Sequence, residues 1–284
     1  MREFDGTFRA FAETPEYIEV NRLCVEDWVG LIAESGQSVR DVLDLATGTG
    51  TMASILLDAL ARQNRYPTLT CLDRSPEALE LAKEALGGED ERTAFLLGDA
   101  ADPNLPAASM DVVVIGNGIH YLTEAEQETL AGKVKTILRP GGYFLFNTAF
   151  FDGTIPEETV SFYRAKTKEA VRFLRGIDIT REEGAERAEA ANLKPIEHYR
   201  ALAQRAGMKI ARLTQYPVRG SLRFYQGIAS YLQYAQGILR GYPVREAADA
   251  LVKGTEKAFA LHAQTGPNGE QFILRNWLSM SAQA

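Results

Sequence analysis

Glycines, carboxylates and one imidazole stand where a small ligand could be held and worked on. The run Val42-Leu43-Asp44-Leu45-Ala46-Thr47-Gly48-Thr49-Gly50 is an apolar strand pattern that empties into a glycine-rich turn. Glycine lets a backbone approach a ligand closely and adopt positive φ. The helix start that follows such a turn offers free N–H groups to electronegative atoms. Asp73 and Asp99 each stand just beyond a further apolar run, 68–72 and 94–97. A carboxylate has two acceptor oxygens and can take a pair of hydroxyls or an amino group. Gly116-Asn117-Gly118-Ile119-His120-Tyr121 follows a fourth run, 111–115. His120 is the candidate base, since an unperturbed imidazole titrates near neutrality. Taken alone, Gly48-x-Gly50-x-x-Ala53 with Asp73 also fits a dinucleotide fingerprint. A ligand-free strand–helix turn, and a histidine merely packed at a helix start, are the plain structural alternatives.

The elements that would position these residues alternate strand and helix. Residues 15–35 carry Val20, Leu23, Cys24, Trp28, Leu31 and Ile32 at helical spacing, which predicts one buried face. Strands are predicted over 39–45, 68–72, 94–97, 111–115 and 143–147, with helices over 51–63 and 76–86 and from 124 to about 138. Ser75-Pro76 reads as a cap and first helical residue. Thr123 and Glu126 have capping-box spacing, and 139–142 reads as a turn. This rhythm argues for a parallel sheet covered on both faces. After Asp152 the sequence becomes charged. The stretch 157–192 reads as a solvated helical face or a flap, followed by a helix over 195–206, a strand over 208–214, helices over 222–264 and a last strand over 271–282.

The chain has 284 residues, 45% hydrophobic and 24% charged, with a net charge of −7. That length supports a core without disulfides or metal, and the two cysteines cannot form a disulfide framework. The acidic balance weakens any reading built on nucleic acid or an anionic membrane. No run approaches the ~20 apolar residues of a membrane span, and acids occupy the N-terminus where a signal peptide needs an apolar stretch. A cytoplasmic chain with no bound metal is the expectation.

From Asp44 to Gly50 the sequence resembles the first motif of class I S-adenosylmethionine-dependent methyltransferases. Leu72-Asp73 with Ser75-Pro76 is similar to that family's second motif, and Gly98-Asp99-Ala100 to its third. Asp111-Val-Val-Val-Ile-Gly-Asn117 is similar to its fourth, and Leu138-Arg139-Pro140-Gly141-Gly142 to the turn before its fifth strand. The order is preserved over residues 38–147. The resemblance implies a Rossmann-like, seven-stranded α/β sheet with helices on both faces and added helical lid and cap segments. It implies S-adenosyl-L-methionine as donor and S-adenosyl-L-homocysteine as product. Within that family's pattern Asp44 acts on the ammonium of the donor, and Ala46, Gly48 and Gly50 line its methionine and ribose parts. Asp73 takes the ribose hydroxyls and Arg74 and Ser75 flank the adenine. Asp99 and the Ala100 amide read the adenine edge, Gly116 and Asn117 face the ammonium, and Tyr17 is a lid contact.

The implied organisation is a helical lid over 1–37, the donor-binding core over 38–151, a helical insertion over 152–194, and 195–284 completing the sheet with a cap at about 216–268. A small organic acceptor is expected, with the methylated atom (O, N or C) open. The Asn-Pro-Pro-Tyr run of amine and amide methyltransferases is missing after the fourth strand, which counts against nucleobase and glutamine acceptors. The aromatic stretch 224–242, with Ile228, Tyr231, Leu232, Tyr234, Ile238 and Leu239, fits an acceptor lid, core packing or a homodimer seam. A methyltransferase for RNA or protein, and a protein that binds the donor without methylating, are the competing readings.

Overall fold

Alternating apolar residues build the central sheet and divide the core into two layers. The computed structural model describes residues 7–182, 184 and 192–284. Strands β1 (Asp41–Leu45), β2 (Thr68–Asp73), β3 (Thr93–Leu97), β4 (Met110–Gly116), β5 (Leu138–Thr148), β6 (Lys209–Gly220) and β8 (Gln271–Gln283) lie in the order β3-β2-β1-β4-β5-β8-β6. The first five are parallel and β8 runs antiparallel to both β5 and β6. A two-residue strand, β7 (Gln264–Thr265), pairs with the start of β8. Val42, Val112, Val114 and Leu145 face one layer with Trp28 and Leu56. Leu43, Val113, Ile115, Phe144 and Phe146 face the other with Leu130, Val134 and Leu202. That is the period-2 alternation of a sheet buried on both faces.

Helix α2 (Pro15–Glu34) and α3 (Thr51–Ala61) contribute to the first layer, and α5 (Glu124–Ile137) and α7 (Ile196–Arg205) to the second. Helix α4 (Pro76–Leu86) begins where the sequence predicts: the Ser75 hydroxyl accepts from the Ala78 amide, with Pro76 at the first position. The Thr123–Glu126 capping box at the start of α5 is formed in both directions.

Four expectations are corrected. The predicted turn 139–142 is drawn into β5 around a register shift opposite β4, because Arg139 ties Asp41 and the buried Asp111 together. Strand β6 continues six residues past its predicted end, to Gly220, since β8 is long enough to pair with all of it. Leu23 is exposed, because α2 turns Val20, Cys24 and Trp28 inward. The stretch 157–192 is more than a solvated face: α6 (Val160–Gly176) buries Phe162, Lys166, Ala170 and Leu174. Its residues 183 and 185–191 lie outside the described part of the chain.

The remaining helices, α1 (Phe8–Ala12), α6, α8 (Leu222–Ser230), α9 (Leu232–Ile238) and α10 (Val244–His262), form a cap joined to the sheet through aromatic edges. Phe11 meets Phe224 at 5.2 Å and Trp277 of β8 at 6.3 Å, and Tyr17 meets Trp277 at 5.5 Å. Trp277 has no exposed surface. Trp277→Ala is expected to lower unfolding stability by about 3–5 kcal/mol, the usual loss for emptying a large aromatic site. Urea denaturation followed by circular dichroism checks it, and a loss below about 1 kcal/mol would show that the cap is not anchored there.

Candidate functional site

The loop after β1 is shaped by backbone strain and by one carboxylate. Ala46, Gly48 and Gly50 all have positive φ, at 51°, 57° and 78°. At Gly50 a Cβ would stand 3.2 Å from the Ala82 Cα, so any side chain there would push α4 away. At Gly48 a Cβ would meet only the Ala46 carbonyl at 3.9 Å, and the rest of that side is open. Asp73 at the end of β2 braces the loop: its Oδ2 accepts from the Gly48 amide at 2.9 Å and its Oδ1 from the Ser75 amide at 3.0 Å. Each oxygen keeps a further acceptor position.

Asp44 lies beneath this loop with 1% of its surface exposed, and neither carboxylate oxygen has a hydrogen-bond partner. The Thr47 hydroxyl donates to the Asp44 main-chain carbonyl at 2.9 Å, which leaves the carboxylate free. Burial pushes the carboxyl up to about 8; the nearby Thr47 hydroxyl opposes this and the Asp73 charge adds to it. A buried carboxylate without a donor is costly by itself. It fits a cationic ligand group such as an ammonium, which would supply both donors and counter-charge.

The other predicted residues divide by position. Gly116 and Asn117 end β4, and Asn117 has a positive φ of 49°. The Asn117 amide donates to the Asn147 side-chain oxygen at 2.9 Å, and Asn117 Oδ1 accepts from the Ala149 amide at 2.8 Å. Asn147 in turn donates to Asn21 Oδ1 at 2.7 Å, and Asn21 donates to the Tyr17 carbonyl at 2.8 Å. This buried amide chain ties α2 to the ends of β4 and β5. Asn21 and Asn147 were not expected from sequence; their signal was a lone amide on the apolar buried face of α2 and in the apolar run of β5. Tyr17 is buried, with burial and then the Asp44 charge raising its hydroxyl pKa, and the Asn21 side chain opposing. Ser75 is occupied as a helix cap, and Arg74 is exposed. Asp99 is exposed at the end of β3, with Oδ1 accepting from the Ala101 amide, and Ala100 is half-buried beside it.

His120 departs from its sequence expectation. It is 5% exposed, its Nδ1 lies 3.0 Å from the Thr148 hydroxyl, and its Nε2 is buried without a partner. Burial first, and the Arg275 charge second, pull it down to about 3. An imidazole held there is neutral at ordinary pH, so the near-neutral titration expected of it is corrected. Its ring lies 4.1 Å from Tyr121 and 4.4 Å from Phe150. Beyond it opens a cavity of about 380 Å³, lined among the described residues by Tyr121, Phe150, Leu193, Tyr231, Tyr234 and Ile238, with Lys166 and Arg275. Tyr231, Tyr234 and Ile238 of the aromatic stretch 224–242 therefore line this cavity, with Gln233 and Gly237 between them, while Ile228 and Leu239 are core residues.

Comparisons with known proteins agree with this arrangement. Residues 42–142 match the family described as a methyltransferase domain. An uncharacterized methyltransferase of Anoxybacillus flavithermus is 32% identical over 126 residues, 44% of this chain and 55% of that protein. A malonyl-[acyl-carrier protein] O-methyltransferase of Geobacter sulfurreducens is 30% identical over 159 residues, 55% of each chain. The chain thus spans about half the length of these curated relatives. A Galdieria sulphuraria protein proposed to be a sarcosine dimethylglycine methyltransferase superimposes with a TM-score of 0.52 at 15% identity, over 92% of this chain and 85% of that one. That likeness concerns the fold.

The Asp44 assignment predicts a pH signature in stability. The folded-state value near 8 stands above the ordinary carboxylate value, so the folded protein holds a proton that the unfolded chain releases. Stability contributed by that proton is complete below about pH 4 and is lost as pH rises to about 8. Asp44→Asn should remove this slope, so its melting temperature should gain on the wild type between about pH 5 and 8. Parallel melting curves across that range would contradict the assignment.

Proposed function

Because the chain belongs to the class I S-adenosylmethionine-dependent methyltransferase family, we propose that it binds S-adenosyl-L-methionine beyond the ends of β1, β2 and β4 and methylates a small organic molecule. The observation that carries the reading is the Asp44 carboxylate, buried without a partner below an open glycine loop. Bound there, S-adenosyl-L-methionine would supply a methyl activated by its sulfonium: an acceptor lone pair would bond to that carbon in line as the carbon–sulfur bond breaks, its electron pair leaving with S-adenosyl-L-homocysteine.

The chain's own residues do the rest by placement and exclusion of water. Asp44 holds the ammonium and Asp73 accepts the ribose hydroxyls from a position fixed by the Gly48 and Ser75 amides. Asp99 and the Ala100 amide stand at the next strand end for the adenine edge, with Arg74 and Ser75 beside it. Gly116 and Asn117 present main chain toward the ammonium, and Tyr17 closes the site from α2. His120 stands at the mouth of the aromatic cavity as a neutral imidazole. It orients the acceptor by a hydrogen bond from or to Nε2 rather than by cycling a charge near neutrality. The substrate reading draws on the named O-methyltransferase relative and on a cavity of small-molecule size.

Asp73→Ala should weaken S-adenosyl-L-homocysteine binding at least about tenfold, equivalent to about 1.4 kcal/mol. Calorimetric titration reads it, and an unchanged affinity would remove Asp73 from the ribose role. Once an acceptor is found, the rate between about pH 6 and 8 should show no limb that His120→Gln abolishes. A limb near the ordinary histidine value that vanishes in that variant would restore His120 as a titrating base.

A further inference from the structure

Two cations are buried in the cavity beside His120, and among the described residues neither has a counter-charge. Lys166 of α6 is 1% exposed and Arg275 of β8 is 2% exposed. The hydrogen bond from Lys166 goes to the Tyr234 hydroxyl at 2.6 Å. Arg275 donates to the Tyr163 hydroxyl at 3.1 Å and to the Ala149 carbonyl, and its Nε is buried with no partner. No Asp or Glu lines the cavity among the described residues. The ion pairs formed elsewhere all use other lysines and arginines.

Aromatic rings surround both groups. The Lys166 ammonium stands 5.0 Å from the Tyr163 ring centroid and 4.8 Å from that of Tyr234, and the Arg275 guanidinium 5.0 Å from that of Phe150. Ring faces attract cations but do not replace a counter-charge. The Tyr163 hydroxyl that receives Arg275 lies 3.4 Å from the Tyr225 hydroxyl, which donates to the Ile273 carbonyl at 3.2 Å. That relay fixes the guanidinium and leaves Nε without a partner. Burial, with the Arg275 charge adding and Tyr163 opposing, lowers Lys166 to about 8. Two buried cations lining one cavity without a counter-charge are unfavourable in the free protein. A bound anion would remove that penalty.

Resting on the methyltransferase reading above, we propose that this cavity is the acceptor site and that the acceptor is an organic carboxylate, its charged group seated between Lys166 and Arg275. The donors left are Arg275 Nε and its unused Nη hydrogens, the remaining Lys166 hydrogens and the Tyr234 hydroxyl. The planar guanidinium fork matches the two coplanar oxygens of a carboxylate. Phe150, Leu193 and Ile238 supply the apolar wall for its carbon part. His120 lines the same cavity.

Thermal melting of the full chain, with benzoate, phenylacetate and hexanoate each set against the matching amide, tests this. The acids should raise the melting temperature and the amides should not. Lys166→Met should melt at or above the wild type at about pH 6, because it removes an uncompensated charge, and should lose the response to the acids. Equal shifts from acid and amide, no shift from any acid, or a larger shift from inorganic phosphate would each overturn the proposal. A Lys166→Met protein that melts several degrees lower would also overturn it, assigning the lysine a structural role. Titration of the same wild-type sample with S-adenosyl-L-homocysteine separates the two readings. If that ligand fails while the acids still stabilise, the methyltransferase reading falls and the carboxylate site stands.

Discussion

Charge held away from water without a partner is the constraint on which this structure turns. Native interiors pair or hydrate their ions, since an isolated buried charge is expensive. Among the described residues Lys166 and Arg275 break that rule, and Asp44, raised to about 8, avoids it in the free protein only by keeping its proton. The signs are ordered: the carboxylate lies under the glycine loop and the two cations lie in the cavity past His120. Under the proposed reading these are the places of a cationic group on the donor side and an anionic group on the acceptor side.

The rest of the fold can be read as support for these exceptions. The sheet is buried on both faces, so it supplies a rigid floor whose strand ends carry Asp44, Asp73, Asp99 and Asn117 in sequence. The Asn117–Asn147–Asn21 chain locks α2 over that floor with every bond between 2.7 and 2.9 Å. The aromatic seam around Trp277 then ties the cap helices to β8, the strand that carries Arg275. Packing that fixes Trp277 also fixes the guanidinium two residues away. Stability and site geometry thus share the same contacts.

Much of this was legible in the sequence, for definable reasons. Strand ends beside the site carry the Asp residues and glycines, whose local chemistry is strong, so candidates for the donor side could be named residue by residue. Ser75 and Thr123 marked their helix starts because capping is a short-range interaction. The acceptor side was hidden because it is assembled from distant elements. Lys166 looked like one charge among many, yet Phe162, Lys166, Ala170 and Leu174 recur at helical spacing and make it the polar break in an apolar stripe. Arg275 likewise shares a strand face with Ile273 and Trp277. His120 was placed correctly in the chain, but its burial, which decides its protonation, depends on Phe150, Thr148 and Arg275 and could not be read locally. The turn at 139–142 became part of β5 through Asp41 and Asp111, again partners remote in sequence.

The central claim is that the buried Asp44 carboxyl is the counter-charge for the donor's ammonium. Calorimetric titration with S-adenosyl-L-homocysteine at about pH 6.5, repeated in buffers of different ionisation enthalpy, tests it most directly by counting protons. With Asp44 raised to about 8 in the free protein, binding must ionise it, and the account predicts release of close to one proton per ligand bound. Asp44→Asn should abolish that release. Binding without proton release, or release that persists in the variant, would contradict the claim.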